Sequence, residues 1–259
     1  MMWRSTATTS SFPSCRRDMT DISFDPASGA LALHGYPVSN YFNAARAALI
    51  EKGAAFTIVP TRAAQDEAFL AHSAMGKIPY LRTGQGCIAE TVAILEYIEE
   101  VVPGVPLYPT GAFARARARQ IINIVQLYVE TPLRSLYPGA FMGGVNAPET
   151  IAAVRPVVDR GMRALSQLVT PAPFLLGGQL TYADIFAFYH FDLGERAMRF
   201  TYGASLVDAV PGLHDWFDIM AARPSTRTVL ADFHPAFAAY LRDKGAAWLE
   251  PELKETTHA

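Results

Sequence analysis

Cysteine and charge are both scarce in this chain of 259 residues. Its two cysteines, Cys15 and Cys87, are too few for a disulfide framework or a zinc site, which favours a reducing compartment such as the cytoplasm. Charged residues make up 18% of the chain and the formal net charge is -2. Because phosphate binding requires a concentrated basic surface, this balance argues against nucleic acid as the main partner.

Long hydrophobic runs are absent as well. The chain contains no stretch of about 18 consecutive apolar residues, so no membrane-spanning helix is predicted. The hydrophobic fraction is nevertheless 51%, which is ample for buried cores. The composition therefore predicts a globular protein that does not enter a membrane.

Residues 1–28 differ in composition from the rest of the chain. They are rich in serine and threonine and contain Arg4, Arg16 and Arg17, but no acidic residue before Asp18. This pattern resembles an organelle transit peptide, and a protein that starts at Met19 is the alternative. We predict a disordered leader here, and expect a chain starting at Met19 to melt at the same temperature as the full chain.

Hydrophobic periodicity predicts strands and helices in a compact order over residues 29–102. Alternating apolar residues favour strands, and spacings of three and four favour helices. The predicted strands are 30–34, 55–59, 77–82 and 86–89. The predicted helices start near residue 40, cover 66–72, and cover 91–101. The order is βαβαββα, with a parallel crossover between the first two strands.

A linker and a second, helical region follow. Residues 103–111 hold three prolines and two glycines, which is typical of a domain boundary. Residues 112–240 are predicted to form helices, with segments near 112–137, 148–169, 182–200 and 212–222. Residues 241–259 are predicted to be a tail.

Short motifs in the predicted order resemble the glutathione transferases. The first domain contains SNYFNAAR at 39–46, GKIPYL at 76–81 and ETVAI at 90–94. The second contains TYAD at 181–184, whose Thr and Asp fit a helix capping box, and PGL at 211–213. The chain is similar to the serine-type classes (zeta, phi, theta) over about residues 30–235. This implies an α/β thioredoxin-like N-terminal domain followed by an all-α helical-bundle C-terminal domain.

The resemblance also implies which residues hold glutathione. Pro79 would be a cis proline that turns the backbone of Ile78 toward the cysteinyl part of the ligand. Thr91, at a helix N-terminus, would take the γ-glutamyl carboxylate, and Glu90 would pair with the ammonium. Thr91 is also predicted to be the N-cap of that helix. Lys77 would reach the glycyl carboxylate, although a solvated lysine explains it nearly as well.

Two residues compete for the role of thiol activator. Ser39 stands where the serine-type classes place the hydroxyl that donates to the glutathione sulfur, and it also suits a helix N-cap. Tyr36 lies near the position used by the tyrosine-type classes, one residue late. We expect Ser39 to be the catalytic residue. Because no cysteine lies at 39–43, disulfide reductase chemistry is not expected.

The expected activity is conjugation of the glutathione thiolate to a small apolar electrophile. Glutathione-dependent isomerisation and a non-catalytic binding or scaffold role are the alternatives. Glutathione would be a co-substrate, and neither a further cofactor nor a metal is expected. The resemblance implies a homodimer. The residues expected to line the second pocket are Tyr36, Val38, Tyr41, Phe42, Tyr128, Tyr137 and Phe141.

Overall fold

The computed structural model describes residues 30–248, so the predictions for the leader and for the end of the tail lie outside the described residues. The first domain is built on a four-stranded sheet with the order β2-β1-β3-β4. Strand β1 pairs in parallel with β2 and antiparallel with β3, which pairs antiparallel with β4. The predicted parallel crossover is therefore confirmed. The strands are β1 Leu31–Gly35, β2 Phe56–Pro60, β3 Tyr80–Thr83 and β4 Gly86–Ala89.

Three helices belong to the sheet domain and the rest form the second domain. The first three are α1 Asn40–Glu51, α2 Glu67–Leu70 and α3 Thr91–Val101. The second domain comprises α4 Ala112–Ile124, a π-helical turn Val125–Glu130, α5 Thr131–Arg134, α6 Tyr137–Phe141, α7 Pro148–Ser166, α8 Tyr182–Tyr202, α9 Leu213–Ala221 and α10 Pro224–Lys244. Within residues 30–248 no helix is long and apolar enough to span a membrane.

Strand β3 starts three residues later than the sequence pattern predicts. The hydroxyl of Ser73 bonds both the backbone N–H and the carbonyl of Lys77. Pro79 has no N–H to donate to a sheet ladder. The segment before Tyr80 is therefore a loop and not the beginning of the strand.

Helix α10 was not among the predicted helical segments, and it crosses the expected start of the tail at residue 241. Pro235 lies inside it, and an internal proline usually indicates a helix end. Burial of one side of the helix, including Phe233, Phe237 and Leu241, offsets the lost hydrogen bond. Residues 241–248 therefore belong to the folded domain, and Trp248 N–H donates to the carbonyl of Ala140.

Helix α1 joins the two domains, since it packs against the sheet domain and against α8 and α10. The Arg46 guanidinium lies 2.7 Å from the Asp232 carboxylate on α10. Glu51, at the end of α1, accepts two hydrogen bonds from Arg223 at 2.7 and 2.8 Å. These ion pairs fix the middle and the end of α1 against the second domain.

A buried histidine in the sheet domain makes its stability depend on pH. His34 on β1 stacks on Tyr80, and burial, together with the charge of Arg82, lowers its pKa to about 4. The folded state therefore favours the neutral imidazole. The contribution of His34 to the stability of the folded state is complete above pH 6.5 and is lost as pH falls toward 4.

We expect the free energy of unfolding to fall by about 2 kcal/mol for this group between pH 7 and pH 5. Urea unfolding at the two pH values measures the change, and His34→Asn should reduce it. An equal loss in wild type and variant would contradict the assignment to His34.

Candidate active site

A cleft of about 620 Å³ lies between the two domains. Its floor is formed by the loop after β1, the loop before β3 and the start of α3, and its far wall by the π-helical turn, α5, α6 and α10. The structure brings most of the predicted site residues together here. They are Tyr36, Val38, Ser39, Tyr41, Lys77, Ile78, Pro79, Glu90, Thr91, Tyr137 and Phe141.

Two residues expected in the second pocket do not line the cleft. Phe42 is fully buried in the core, because it lies on the same apolar face of α1 as Ala45 and Leu49. Tyr128 is exposed and packs against Gly161 of α7, on another side of the second domain. Both assignments are therefore wrong. The direction of a side chain depends on its position around the helix, so an aromatic residue close to the site in sequence can point away from it.

Ser39 lies at the N-terminus of α1 and faces the cleft. It is the N-cap of the helix, and its Oγ accepts a hydrogen bond from the Phe42 N–H at 3.2 Å. Within residues 30–248 its hydroxyl proton has no acceptor in reach. The N–H groups of Asn40 and Tyr41 have no partner inside the helix. This end of α1 therefore presents a hydroxyl donor and a partial positive charge to the cleft.

The cis peptide between Ile78 and Pro79 forms the middle of the floor. The predicted cis proline is thus present, with Pro79 buried and Ile78 partly exposed to the cleft. Lys77 lies beside them with an exposed side chain, while its backbone is held by Ser73. The backbone of Ile78 is thereby presented to a ligand lying on the floor.

Glu90 and Thr91 form the third part of the floor, at the N-terminus of α3. The N-cap is Glu90 rather than Thr91, which corrects the sequence-based assignment, and Glu90 makes no side-chain cap hydrogen bond. The Glu90 backbone has φ of 66°, the one positive φ of a non-glycine residue within 30–248. The Thr91 hydroxyl donates to the Tyr41 carbonyl at 3.4 Å. The N-termini of α3 and α1 therefore open onto the same cleft.

A polar cluster that the sequence did not reveal connects this floor to the far wall. The buried Glu130 carboxylate accepts hydrogen bonds from the Tyr41 hydroxyl at 2.6 Å and from the Arg134 Nε at 2.7 Å. Arg134 also donates to the Asn40 Oδ1 at 3.0 Å, and the Asn40 amide donates to Glu130 at 3.3 Å. The sequence contained one sign of this cluster: Glu130 and Arg134 are an acid and a base four residues apart, the spacing at which helical side chains form ion pairs.

The cluster determines the charge of its carboxylate. Burial alone would raise the pKa of Glu130, but the charge of Arg134 and the hydrogen bonds from Tyr41 and Arg134 lower that pKa below its usual range. Burial and the neighbouring Glu130 raise the pKa of Tyr41. At neutral pH the cluster therefore consists of an ionised Glu130, a neutral Tyr41 hydroxyl and a charged Arg134.

Known families and proteins match both domains. Residues 33–106 match the family "Glutathione S-transferase, N-terminal domain", and residues 148–218 match "Glutathione S-transferase, C-terminal domain". A glutathione S-transferase of Pseudomonas putida is 31% identical, over 82% of this chain and 96% of its own length. A maleylacetoacetate isomerase of Pseudomonas aeruginosa is 26% identical, over 80% of this chain and 96% of its own.

A solved structure agrees with these matches. The crystal structure of a glutathione S-transferase from Rhodospirillum rubrum superimposes with a TM-score of 0.64 and 28% identity, covering 77% of this chain and 91% of that chain. The predicted fold class, a thioredoxin-like domain followed by a helical bundle, is confirmed. The chain belongs to the glutathione S-transferase family.

Proposed function

We propose that the protein binds reduced glutathione on the floor of the cleft and transfers it to an electrophilic carbon. One observation carries the proposal: the N-termini of α1 and α3 open onto one cleft, with the cis Ile78–Pro79 peptide among its lining residues. Each helix N-terminus favours an anion, and glutathione offers a γ-glutamyl carboxylate and a thiolate. Glu90 would pair with the ammonium, and Lys77 would contact the glycyl carboxylate.

Ser39 supports the chemical step in this proposal. A free thiol has a pKa near 8.5, so a small fraction is ionised at neutral pH. A hydroxyl donor at a helix N-terminus stabilises the thiolate and lowers that pKa. The thiolate then forms a carbon–sulfur bond. In a substitution the leaving group departs with its electron pair and the thiol proton passes to solvent. In an addition to an epoxide or activated alkene no group leaves, and the proton ends on the opened oxygen or on the neighbouring carbon.

The electrophile would occupy the wall opposite the glutathione floor. Tyr137 and Phe141 line that wall but are 3% and 2% exposed, so the accessible apolar surface comes mainly from Val38 and Tyr41, which border the cleft at the start of α1. Glutathione is a co-substrate in this proposal, and no further cofactor takes part.

Loss of thiol in the presence of electrophiles tests the activity. We expect catalysed, saturable consumption of glutathione with at least one member of a panel of aryl halides, epoxides and activated alkenes. The second candidate is glutathione-dependent isomerisation, favoured by the relative named maleylacetoacetate isomerase. An isomerase would change a cis alkene into its trans isomer without net loss of thiol. Glutathione binding with neither reaction would indicate a binding or scaffold role.

We further propose that the protein is a cytoplasmic homodimer that detoxifies electrophiles. Phe113 and Leu127 are 78% and 55% exposed, and lie fourteen residues apart along α4 and its π-helical extension. We propose that these two large apolar side chains, left exposed on one continuous helical segment, lie in the dimer interface. We expect the double variant Phe113→Glu, Leu127→Glu to sediment as a monomer and the wild type as a dimer; equal mass in both would exclude this face.

A further inference from the structure

The far wall of the cleft, formed by the second domain, carries more positive than negative side chains, because Arg134 and Lys244 line it with one carboxylate, Glu130. In the proposed function, on which this inference rests, the two carboxylates of glutathione contact Lys77 and the start of α3, and its ammonium contacts Glu90. All of these groups belong to the sheet domain. Arg134 lies on α5 of the second domain and also lines the cleft. It therefore faces the region left for the second substrate.

Arg134 is held in one position by its neighbours. Glu130 and the Asn40 side chain bond two edges of the guanidinium. The rings of Tyr41 and Tyr137 lie with their centroids 5.2 and 5.3 Å from the guanidinium carbon. A guanidinium fixed in this way loses little conformational freedom when it binds a second partner.

One terminal nitrogen of the guanidinium is accessible. The Arg134 side chain is 47% exposed, and within residues 30–248 its hydrogen bonds involve Nε and one terminal nitrogen, Nη2. The other terminal nitrogen, Nη1, retains its donors. Arg134 bonds to the side chain of Asn40, the residue after Ser39, and Arg134 and Ser39 line the same cleft.

The charge of the lining favours an anion. The whole lining has four basic side chains and two carboxylates, a balance that the two carboxylates, thiolate and ammonium of glutathione would neutralise; the second-domain wall by itself has two basic side chains against one carboxylate. These residues are Arg62, Lys77 and Glu90 on the floor, and Arg134, Lys244 and Glu130 on the far wall. The Tyr137 hydroxyl beside Arg134 is buried and has no partner within the described residues. A carboxylate oxygen can accept a charge-assisted hydrogen bond from Nη1, which is stronger than the bond that a neutral acceptor would form.

We propose that Arg134 is a specificity-determining residue that binds a carboxylate on the second substrate, so that the preferred electrophiles are apolar or aromatic acids. Glu130 and Asn40 act as positioning residues for Arg134. Tyr41, Tyr137 and Phe141 contact the apolar body of the substrate.

The test uses two product-like probes, S-(4-carboxybenzyl)glutathione and S-benzylglutathione, which differ only by the carboxylate. We expect calorimetry on the wild type to give at least tenfold tighter binding of the carboxylated probe. Arg134→Gln should reduce this preference about 10–100-fold, and Arg134→Lys should restore part of it.

Arg155 provides the matched control. It forms an i, i+4 ion pair with Asp159, lies over the Tyr202 ring at 5.4 Å and is 41% exposed, but does not line the cleft. Arg155→Gln should keep the preference.

A second variant guards against misfolding. Arg134→Gln leaves Glu130 buried without its partner, so this single variant could fail to fold. The double variant Glu130→Gln, Arg134→Gln removes both charges and should show the same lost preference.

The outcomes separate the two proposals. Equal affinity of the wild type for both probes overturns the carboxylate site and leaves the proposed function standing. An equal loss of affinity for both probes in the Arg134 variants also overturns it, because Arg134 would then act on glutathione. Failure of both probes to bind the wild type overturns the proposed function itself.

Discussion

Replacing Ser39 with alanine should raise the pKa of glutathione bound to the enzyme by about one to two units and reduce turnover about 10–100-fold near neutral pH. The reason is the loss of one hydrogen bond to a charged acceptor, which is worth about 1.5–3 kcal/mol. Ultraviolet titration of the bound thiolate measures the pKa, and initial rates measure the turnover. Above the raised pKa the turnover of the variant should recover, because the thiol ionises without help.

The helix-capping role of Ser39 requires its own control. Its Oγ bonds the Phe42 N–H, so alanine should also cost about 1 kcal/mol of stability. Glycine costs only a few tenths of a kcal/mol at an N-cap, so Ser39→Gly removes the hydroxyl while largely keeping the cap. Both variants should show the same rise in thiol pKa. Tyr36→Phe should leave that pKa unchanged; the opposite pattern would transfer the role to Tyr36.

Replacing Glu90 should have the largest effect on glutathione binding. Glu90→Gln removes the negative charge expected to pair with the ligand ammonium, and because Glu90 is exposed to solvent, the loss should be about 1 kcal/mol of binding free energy. Calorimetry with reduced glutathione measures the loss. Binding of equal strength in wild type and variant would show that the ammonium has another partner.

Glu90→Gly separates binding from stability. Glu90 holds a positive φ of 66°, which costs a residue with a Cβ about 1–3 kcal/mol, whereas glycine adopts it freely. We therefore expect Glu90→Gly to increase the free energy of unfolding by about 1 kcal/mol and yet to bind glutathione as poorly as Glu90→Gln. A destabilised glycine variant would mean that the Glu90 side chain itself contributes to folding.

Much of the sheet domain was predictable because its information is local. Strand β4 and helix α3 have the predicted bounds, since alternation and a helical repeat need only neighbouring residues. The α8 capping box is also present as predicted, with the Asp184 carboxylate accepting from the Thr181 N–H at 2.9 Å. Helix α10 falls mostly within the range 112–240 predicted to be helical but was given no segment of its own, because Pro235 is a local signal against a helix that tertiary burial overrides.

The sequence by itself determined the order βαβαββα and the short motifs around Ser39, Pro79 and Glu90. Only the tertiary structure decided which side chains share the cleft. Phe42 turned to the core and Tyr128 to another surface, while Asn40, Glu130 and Arg134 met across about ninety residues of chain. The physical reason is that a helix sets the direction of its own side chains, whereas the packing of α1 against the second domain sets which of them meet.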